Sequence, residues 1–491
     1  MPGFASLRRR GIVAVALAAL ACCVAAGRDV EQIPLPATAA QGVARGFAYK
    51  GAELCVRCHR SEQSAWVDTS TTAVWRHDAH SVSHLALSSD NPRTRGMEAA
   101  LGIKAARTAA CVACHTHPAA EPAPEEETAV VHAGISCETC HGAGSGYFEA
   151  HMEKRWRFLP TAEKEALGMH DLRNPARKAE NCLSCHLGDV ASGKVITHAM
   201  YAAGHPPLPA FEMEAFGKGM GAHWKRVWEK APQVQAAARD AGYRTEAADD
   251  IHRALIGALT ALEQTAGIVT AHAAAVAADP RGTTWPELSL YDCQACHHQL
   301  RVPSWRQEAG YGGLVPGRPS LVRWPRSLAA VAFEAAGTPT DVDALMAPYR
   351  DLLNSRPFGD EVGLRRPAAG VEERIERAIA ALAAERREDV TEQRARQLLD
   401  ALAKAGSEAG DFESARLLAW PLVGQAVGGR PGDDDARRGA AARLAKLLSL
   451  DFPPPAAAGD GRPFWQTSLS TADTVDLDAV HEAFRTLEVV R

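Results

Sequence analysis

The chain has 491 residues, 46% of them hydrophobic and 23% charged, and a formal net charge of −5. This length suits two or three domains. With no clustered basic stretch, the charge pattern argues against a nucleic-acid partner. The unusual number is the cysteine count, 12.

Taken in order, the chain opens with Arg8, Arg9 and Arg10, followed by an apolar run over residues 11–21 and small residues at Val24, Ala25 and Ala26. That order predicts a secretory signal peptide over residues 1–26, with cleavage after Ala26. The run is too short to span a bilayer comfortably, and no later stretch is expected to do so. Lipid on Cys22 or Cys23 is the alternative, although the residues before them fit a lipobox poorly. Residues 27–48 form a tether rich in Ala, Pro and Gly.

Residues 49–320 carry the other ten cysteines as five pairs: Cys55/Cys58, Cys111/Cys114, Cys137/Cys140, Cys182/Cys185 and Cys293/Cys296. A histidine follows each pair at once: His59, His115, His141, His186 and His297. C-x-x-C-H is a c-type haem attachment pattern, in which two thiols form thioethers to one porphyrin and the histidine ligates its iron. Zinc ribbons and disulfides also use C-x-x-C, but neither requires the histidine, and an odd number of pairs leaves one unmatched. Chance would place histidine after all five pairs about once in ten million such chains. The expected cofactor is therefore five c-type haems, whose propionates would make the assembled protein more acidic.

Between these motifs, residues 119–127 read as a solvated acidic loop. Residues 223–238 and 247–278 read as helical, the first kinked or split at Pro232. In the second, Ile251, Leu255, Leu259, Leu262 and Ile268 fall close to a 3.6-residue period. Residues 321–491 hold one histidine, His481, and no cysteine. Amphipathic spacing predicts helices around Val371–Leu382, Leu398–Leu402, Leu417/Leu418 and Leu444–Leu448. This gives a mainly α chain with much irregular structure: a multihaem domain followed by an all-α C-terminal domain, read as a packing or docking unit. Removing the chain beyond Trp324 is then expected to leave the haem spectrum intact.

Each iron needs a second ligand, and fourteen further histidines are present. His80, in a cluster with His77 and His84, is preferred, as is His151, which follows the central motif after a glycine-rich turn. His198 and His205 share a segment broken by Gly204 and Pro206, and so are expected to serve different haems. His132, His170, His252 and His272 compete for the remaining place. His117 and His298 adjoin motifs and read as propionate or surface contacts. Methionine at Met152, Met169 or Met200 is the other option.

Gly134-Ile-Ser-Cys-Glu-Thr-Cys-His-Gly, with His151 ten positions past His141, resembles the tetrahaem cytochromes c that accept electrons from hydroxylamine oxidoreductase. Cys55-Val-Arg-Cys-His with the later Trp66 resembles that family's first motif. The segments Val195–Leu208 and Tyr291–Leu300, the latter with Ser304-Trp-Arg306, are similar to longer pentahaem bacterial relatives. The resemblance covers residues 50–310 and implies distal ligation by His80 and His151. It also implies that one iron lacks a distal protein ligand.

The expected function is electron transfer in the periplasm between redox partner proteins, an oxidoreductase or a membrane quinone-linked complex. The alternative is a redox enzyme acting on a small nitrogen or sulfur oxyanion at one five-coordinate haem. No C-x-x-C-K motif favours it.

Overall fold

The computed structural model describes residues 46–59, 71–118, 134–220, 223–224, 229–240, 250–280, 283–298, 301–308, 310–385, 390–427, 435–450 and 475–488. The expected signal peptide, Cys22, Cys23, Trp66, the acidic loop and His132 lie outside these residues. Among the described residues there is no strand, only isolated bridges between Asp189 and Lys194 and between Tyr291 and Leu321. The mainly α, partly irregular character is thus as expected.

The helices that position the site are, in chain order, α1 (Ala52–Val56), α2 (Ala109–His115), α3 (Cys137–His141), α4 (Pro175–His186), α5 (His198–Ala202), α6 (Met213–Gly219) and α7 (Pro232–Asp240). They are followed by α8 (Asp250–Ala278), α9 (Pro325–Ala335), α10 (Val371–Ala384), α11 (Glu392–Ser407), α12 (Phe412–Val427), α13 (Asp435–Leu447) and α14 (Leu477–Leu487).

The first part of the chain has little core of its own. Its apolar clusters are small: Leu101, Ile103, Ala110 and Met200 in one, Leu87, Ala105 and Val112 in another. A third joins Ala179 and Leu183 of α4 to Phe211, Met213 and Ala261. Clusters of this size bury too little apolar surface to offset the entropy of ordering the loops around them. Among the described residues, side chains alone leave this interior thinly filled.

The second part is a conventional helical core. One cluster runs from Ala210 and Ile251 to Leu487, across the expected boundary at residues 320/321. At its centre lies α8, which packs against α4, α9 and α10. Its residues Ile251, Leu255, Ile256 and Leu259 have no exposed surface. By length and composition α8 is apolar enough to cross a bilayer, contrary to the expectation that no later stretch is. However, 67% of its most apolar window is buried inside the protein. A helix that is apolar all round and covered by other helices is a core helix. The helices α11 to α14 pack pairwise beside it, and Gly406 of α11 lets Phe484 of α14 come close. A Cβ at that glycine would meet the ring at 2.2 Å.

Two features depart from expectation. His223 and Trp224 are not helical, whereas the break expected at Pro232 is present: Glu229 has 3₁₀ geometry and Pro232 opens α7, because proline fits the first turn, whose N–H groups have no partner. The helices α9 and α14 were not expected. Their short apolar repeats, Leu328/Val331/Phe333 and Val480/Phe484/Leu487, are too brief to stand out in the sequence.

One buried ion cluster ties the two parts together. Glu214 on α6 accepts from Lys178 on α4 at 3.2 Å and from Arg253 on α8 at 3.1 Å. Burial alone would raise its carboxyl, but the two cations outweigh that and hold it low. The helix carrying the fourth motif is thereby fixed to the core.

Candidate functional site

Each C-x-x-C-H motif forms a single helical turn, which puts residues i, i+3 and i+4 on one face. In the first motif, His59 N–H donates to Cys55 C=O at 3.1 Å; in the fifth, His297 N–H donates to Cys293 C=O at 2.7 Å. The second, third and fourth motifs close the helices α2, α3 and α4. The central turn is capped at both ends. Ser136 and Thr139 form a capping box at its start, and Gly142 ends it with φ +85°. No larger residue fits there, since a Cβ would lie 2.2 Å from the Gly168 carbonyl oxygen.

Each motif histidine faces one other imidazole. The pairs are His59 with His151 (6.3 Å between ring centroids), His115 with His205 (6.3 Å), His141 with His223 (6.3 Å), His186 with His80 (6.1 Å) and His297 with His198 (6.2 Å). This spacing is too wide for ring contact. It matches two imidazole nitrogens each about 2 Å from one metal ion, with the ring centres just behind them. The five gaps therefore fit the iron of a haem ligated on both faces.

The backbone and one carboxylate orient these rings through Nδ1. His80 Nδ1 lies 2.6 Å from Asp78 Oδ1, and His205 Nδ1 lies 2.7 Å from the Pro206 carbonyl oxygen. His115 Nδ1 lies 3.3 Å from the Ser83 carbonyl oxygen, and His151 Nδ1 reaches those of Phe148 and Tyr147. With Nδ1 held in this way, Nε2 is left as the metal-binding nitrogen. Burial holds His141, His186 and His205 down to about 4 and lowers His115 as well, so these rings are neutral at ordinary pH. His80 shifts the other way because the Asp78 carboxylate bonds to it.

All four second imidazoles singled out from the sequence, His80, His151, His198 and His205, stand opposite motif histidines. Their partners are not always the nearest motif. His151 faces His59 rather than His141 of the motif just before it, because the chain from Tyr147 turns back through short 3₁₀ segments toward the first motif. The partner of His141 is His223, which sequence reasoning missed. His223 was read as the first residue of a helix. The available signal was its flank, Gly217-Lys-Gly-Met-Gly-Ala-His223-Trp, which breaks a helix before the histidine as Gly204 does before His205.

Two of the competing histidines, His252 and His272, engage Nε2 elsewhere, whereas His170 makes the same Nδ1-to-carbonyl bond as the paired rings. His170 Nδ1 lies 3.1 Å from the Cys140 carbonyl oxygen, His252 Nε2 lies 2.6 Å from Glu385, and His272 Nε2 lies 3.1 Å from the Thr284 carbonyl oxygen. His117 stacks edge-on against Tyr49. Among the methionines, Met200 is buried in an apolar cluster and Met152 is exposed.

A cavity of about 1560 Å³ joins several of these pairs. This exceeds the range of about 300–1,000 Å³ usual for a single small ligand. Its walls carry His186, His198, His205, His297, Cys293 and Cys296, together with apolar residues of α8. The far wall is α12, through Phe412, Glu413, Arg416 and Trp420. The C-terminal helices thus enclose the fifth motif.

The motifs also approach one another. The Cys55 thiol lies near that of Cys137, and the Cys114 thiol near that of Cys185. Burial pushes the Cys140 thiol up to about 12, with Cys182 adding to the effect. Glu138, inside the central motif, is buried and accepts backbone N–H groups from Lys50 (2.8 Å), Gly51 (2.6 Å) and Gly144 (2.7 Å). It stitches the third motif to the residues leading into the first.

Cys58 is exposed, whereas its partner Cys55 is half-buried, and it does not line the large cavity. The cause is local. Helix α1 ends at Val56, its one buried residue, so the turn that carries Cys58 runs past the helix onto the surface, held by the Cys58 N–H donating to the Cys55 carbonyl oxygen at 3.2 Å. Cys293 and Cys296 are exposed as well, but they line the wall of the large cavity.

Residues 54–142, which span the first three motifs, match the family model described as cytochrome c554 and c-prime. Cytochrome c-554 of Nitrosomonas europaea is 25% identical over 213 residues, covering 40% of this chain and 86% of that protein. No solved structure matches. The two matches support a c-type cytochrome.

Proposed function

We propose that this chain is an exported, periplasmic multihaem c-type cytochrome that carries electrons along five covalently attached haems between redox partner proteins. The observation that carries this reading is the set of five imidazole pairs, each spaced for one metal ion. A bound haem supplies reversible one-electron chemistry. The chain's own residues do the rest. The ten cysteines would hold the porphyrins, and His59, His115, His141, His186 and His297 would ligate the irons together with His151, His205, His223, His80 and His198, in the same order. Two imidazoles for each iron would leave no position for a substrate, which weighs against the oxyanion-enzyme reading.

The approach of the thiols supports a spatial order. Cys55 beside Cys137 brings the first site to the third, Cys140 beside Cys182 brings the third to the fourth, and Cys185 beside Cys114 brings the fourth to the second. The short helix α5 and the turn after it carry both His198 and His205, and so join the second site to the fifth. Electrons would pass in the order one, three, four, two, five. The exposed motif thiols fall at the two ends of that order, Cys58 at the first site and Cys293 and Cys296 at the fifth, where partners would exchange electrons.

His223→Ala is the direct test. It should leave one haem in five high-spin by electron paramagnetic resonance and able to bind carbon monoxide when reduced. His151→Ala should produce the same signal from a different haem, the first. A fully low-spin spectrum for His223→Ala would remove His223 from the ligand set.

A further inference from the structure

A second cavity, of about 380 Å³, lies on the backbone side of the fifth motif, where Ala295 forms part of its wall. Four arginines line it: Arg306, Arg323, Arg326 and Arg350. Three aspartates line it too, but each is engaged. Asp341 caps the backbone of Asp343 and Ala344, Asp343 pairs with Arg326 at 3.0 Å, and Asp411 accepts from the Ser414 N–H and hydroxyl.

The arginines are less well matched. The Arg323 guanidinium makes no hydrogen bond or close ion pair among the described residues, and the carboxyl that feels its charge, Asp292, is buried beside the fifth motif. The nearest carboxylate to Arg350 is that of the largely exposed Asp351, at 3.8 Å. Arg306 is locked, donating to the carbonyl oxygens of Ala295 and Arg318 and lying over the Tyr311 ring, yet its buried Nε has no acceptor. Burial lowers Arg326, and although Asp343 counters this, the charges of Arg323 and Arg350 lower it further, so the guanidinium groups feel one another. The first turn of the eleven-residue helix α9 also opens into this space through Arg326 and Ser327, and its N-cap, Trp324, provides no side-chain cap.

Guanidinium forks match oxyanions in shape and charge, and the positive dipole end of the helix adds to them, although Pro325 has no N–H and the Arg326 N–H donates to the Arg323 carbonyl oxygen. We propose that this cavity binds a doubly charged tetrahedral oxyanion of the phosphate class, held chiefly by Arg323, Arg326 and Arg350. Because Ala295 sits within the fifth motif and Arg323 also lines the large cavity, the bound anion lies beside the fifth site. Negative charge there stabilises the oxidised iron, and by linkage the oxidised protein binds the anion more tightly than the reduced one. That coupling rests on the haem reading, whereas the anion site itself does not.

The test is calorimetric titration of the full-length, haem-loaded protein with inorganic phosphate at constant ionic strength, with chloride as control. One saturable site per chain is expected. Arg323→Gln should weaken it at least tenfold. Arg350→Gln should weaken it similarly. Saturating phosphate should move one of the five midpoint potentials downward. If the wild type shows no saturable binding, as when a haem propionate already occupies the arginines, the proposal is overturned. Unchanged affinity in both variants would also overturn it. Phosphate binding without any shift in potential would retain the site and reject its coupling to the fifth haem.

Discussion

Truncation after Trp324 is expected to yield a chain that neither stays folded nor keeps its fifth haem site. The helices removed are the ones that cover α8. Leu328 and Phe333 of α9, Ile375 and Leu382 of α10, and Leu398 and Leu402 of α11 share one core cluster with Leu255, Leu259 and Leu262 of α8. Exposing a buried apolar side chain of this size costs about 1.5–3 kcal/mol. Three such leucines on α8 alone approach the whole stability of a typical domain, about 5–15 kcal/mol. The cut would also remove Phe412, Glu413, Arg416 and Trp420 from the wall around His198 and His297. Haem staining and thermal unfolding of the truncated chain would check this. A soluble product with an unaltered five-haem spectrum and an unchanged midpoint would show that the C-terminal helices are dispensable, as a simple docking domain would be.

Glu138→Ala should destabilise the protein by about 3–5 kcal/mol, since it strips a buried carboxylate from several backbone donors that no water can reach easily. Burial alone would raise the Glu138 carboxyl. The His117 side chain and the backbone N–H groups of Lys50, Gly144 and Gly51 outweigh burial and hold it below its ordinary value of 4.5. The folded value being depressed, its stabilisation is complete above about pH 4.5 and is lost as pH falls through the folded value. Glu138→Gln should therefore lower the unfolding midpoint at pH 7 and flatten its fall between about pH 5 and 3. An identical acid limb in the Gln variant would show that other carboxylates control acid unfolding.

How much of this was legible in the sequence follows from the range of each interaction. A C-x-x-C-H motif is a single helical turn, so its chemistry is local, and all five could be read directly. What covers a given thiol is not local, and the exposure of Cys58 could not be told from the spacing it shares with the half-buried pairs. The long helix was legible because its apolar period persists from Ile251 to Ile268. Its role was less so, since only the packing of α9 and α10 shows that residues 321–491 share its core. Pairing between imidazoles is non-local. His151 lies a few residues past one motif and faces another, and His223 reaches the central motif from a segment with no ligand signature beyond its glycines. Glu138 occupies a variable position of the motif, where nothing in the spacing distinguishes a structural carboxylate from a solvated one.

The central claim is tested most directly by a pyridine haemochrome count together with electron paramagnetic resonance on the full-length oxidised protein. Five haems per chain, all low-spin, is the predicted result. A count below five, or a high-spin signal amounting to one haem in five, would contradict the arrangement of paired imidazoles around five irons.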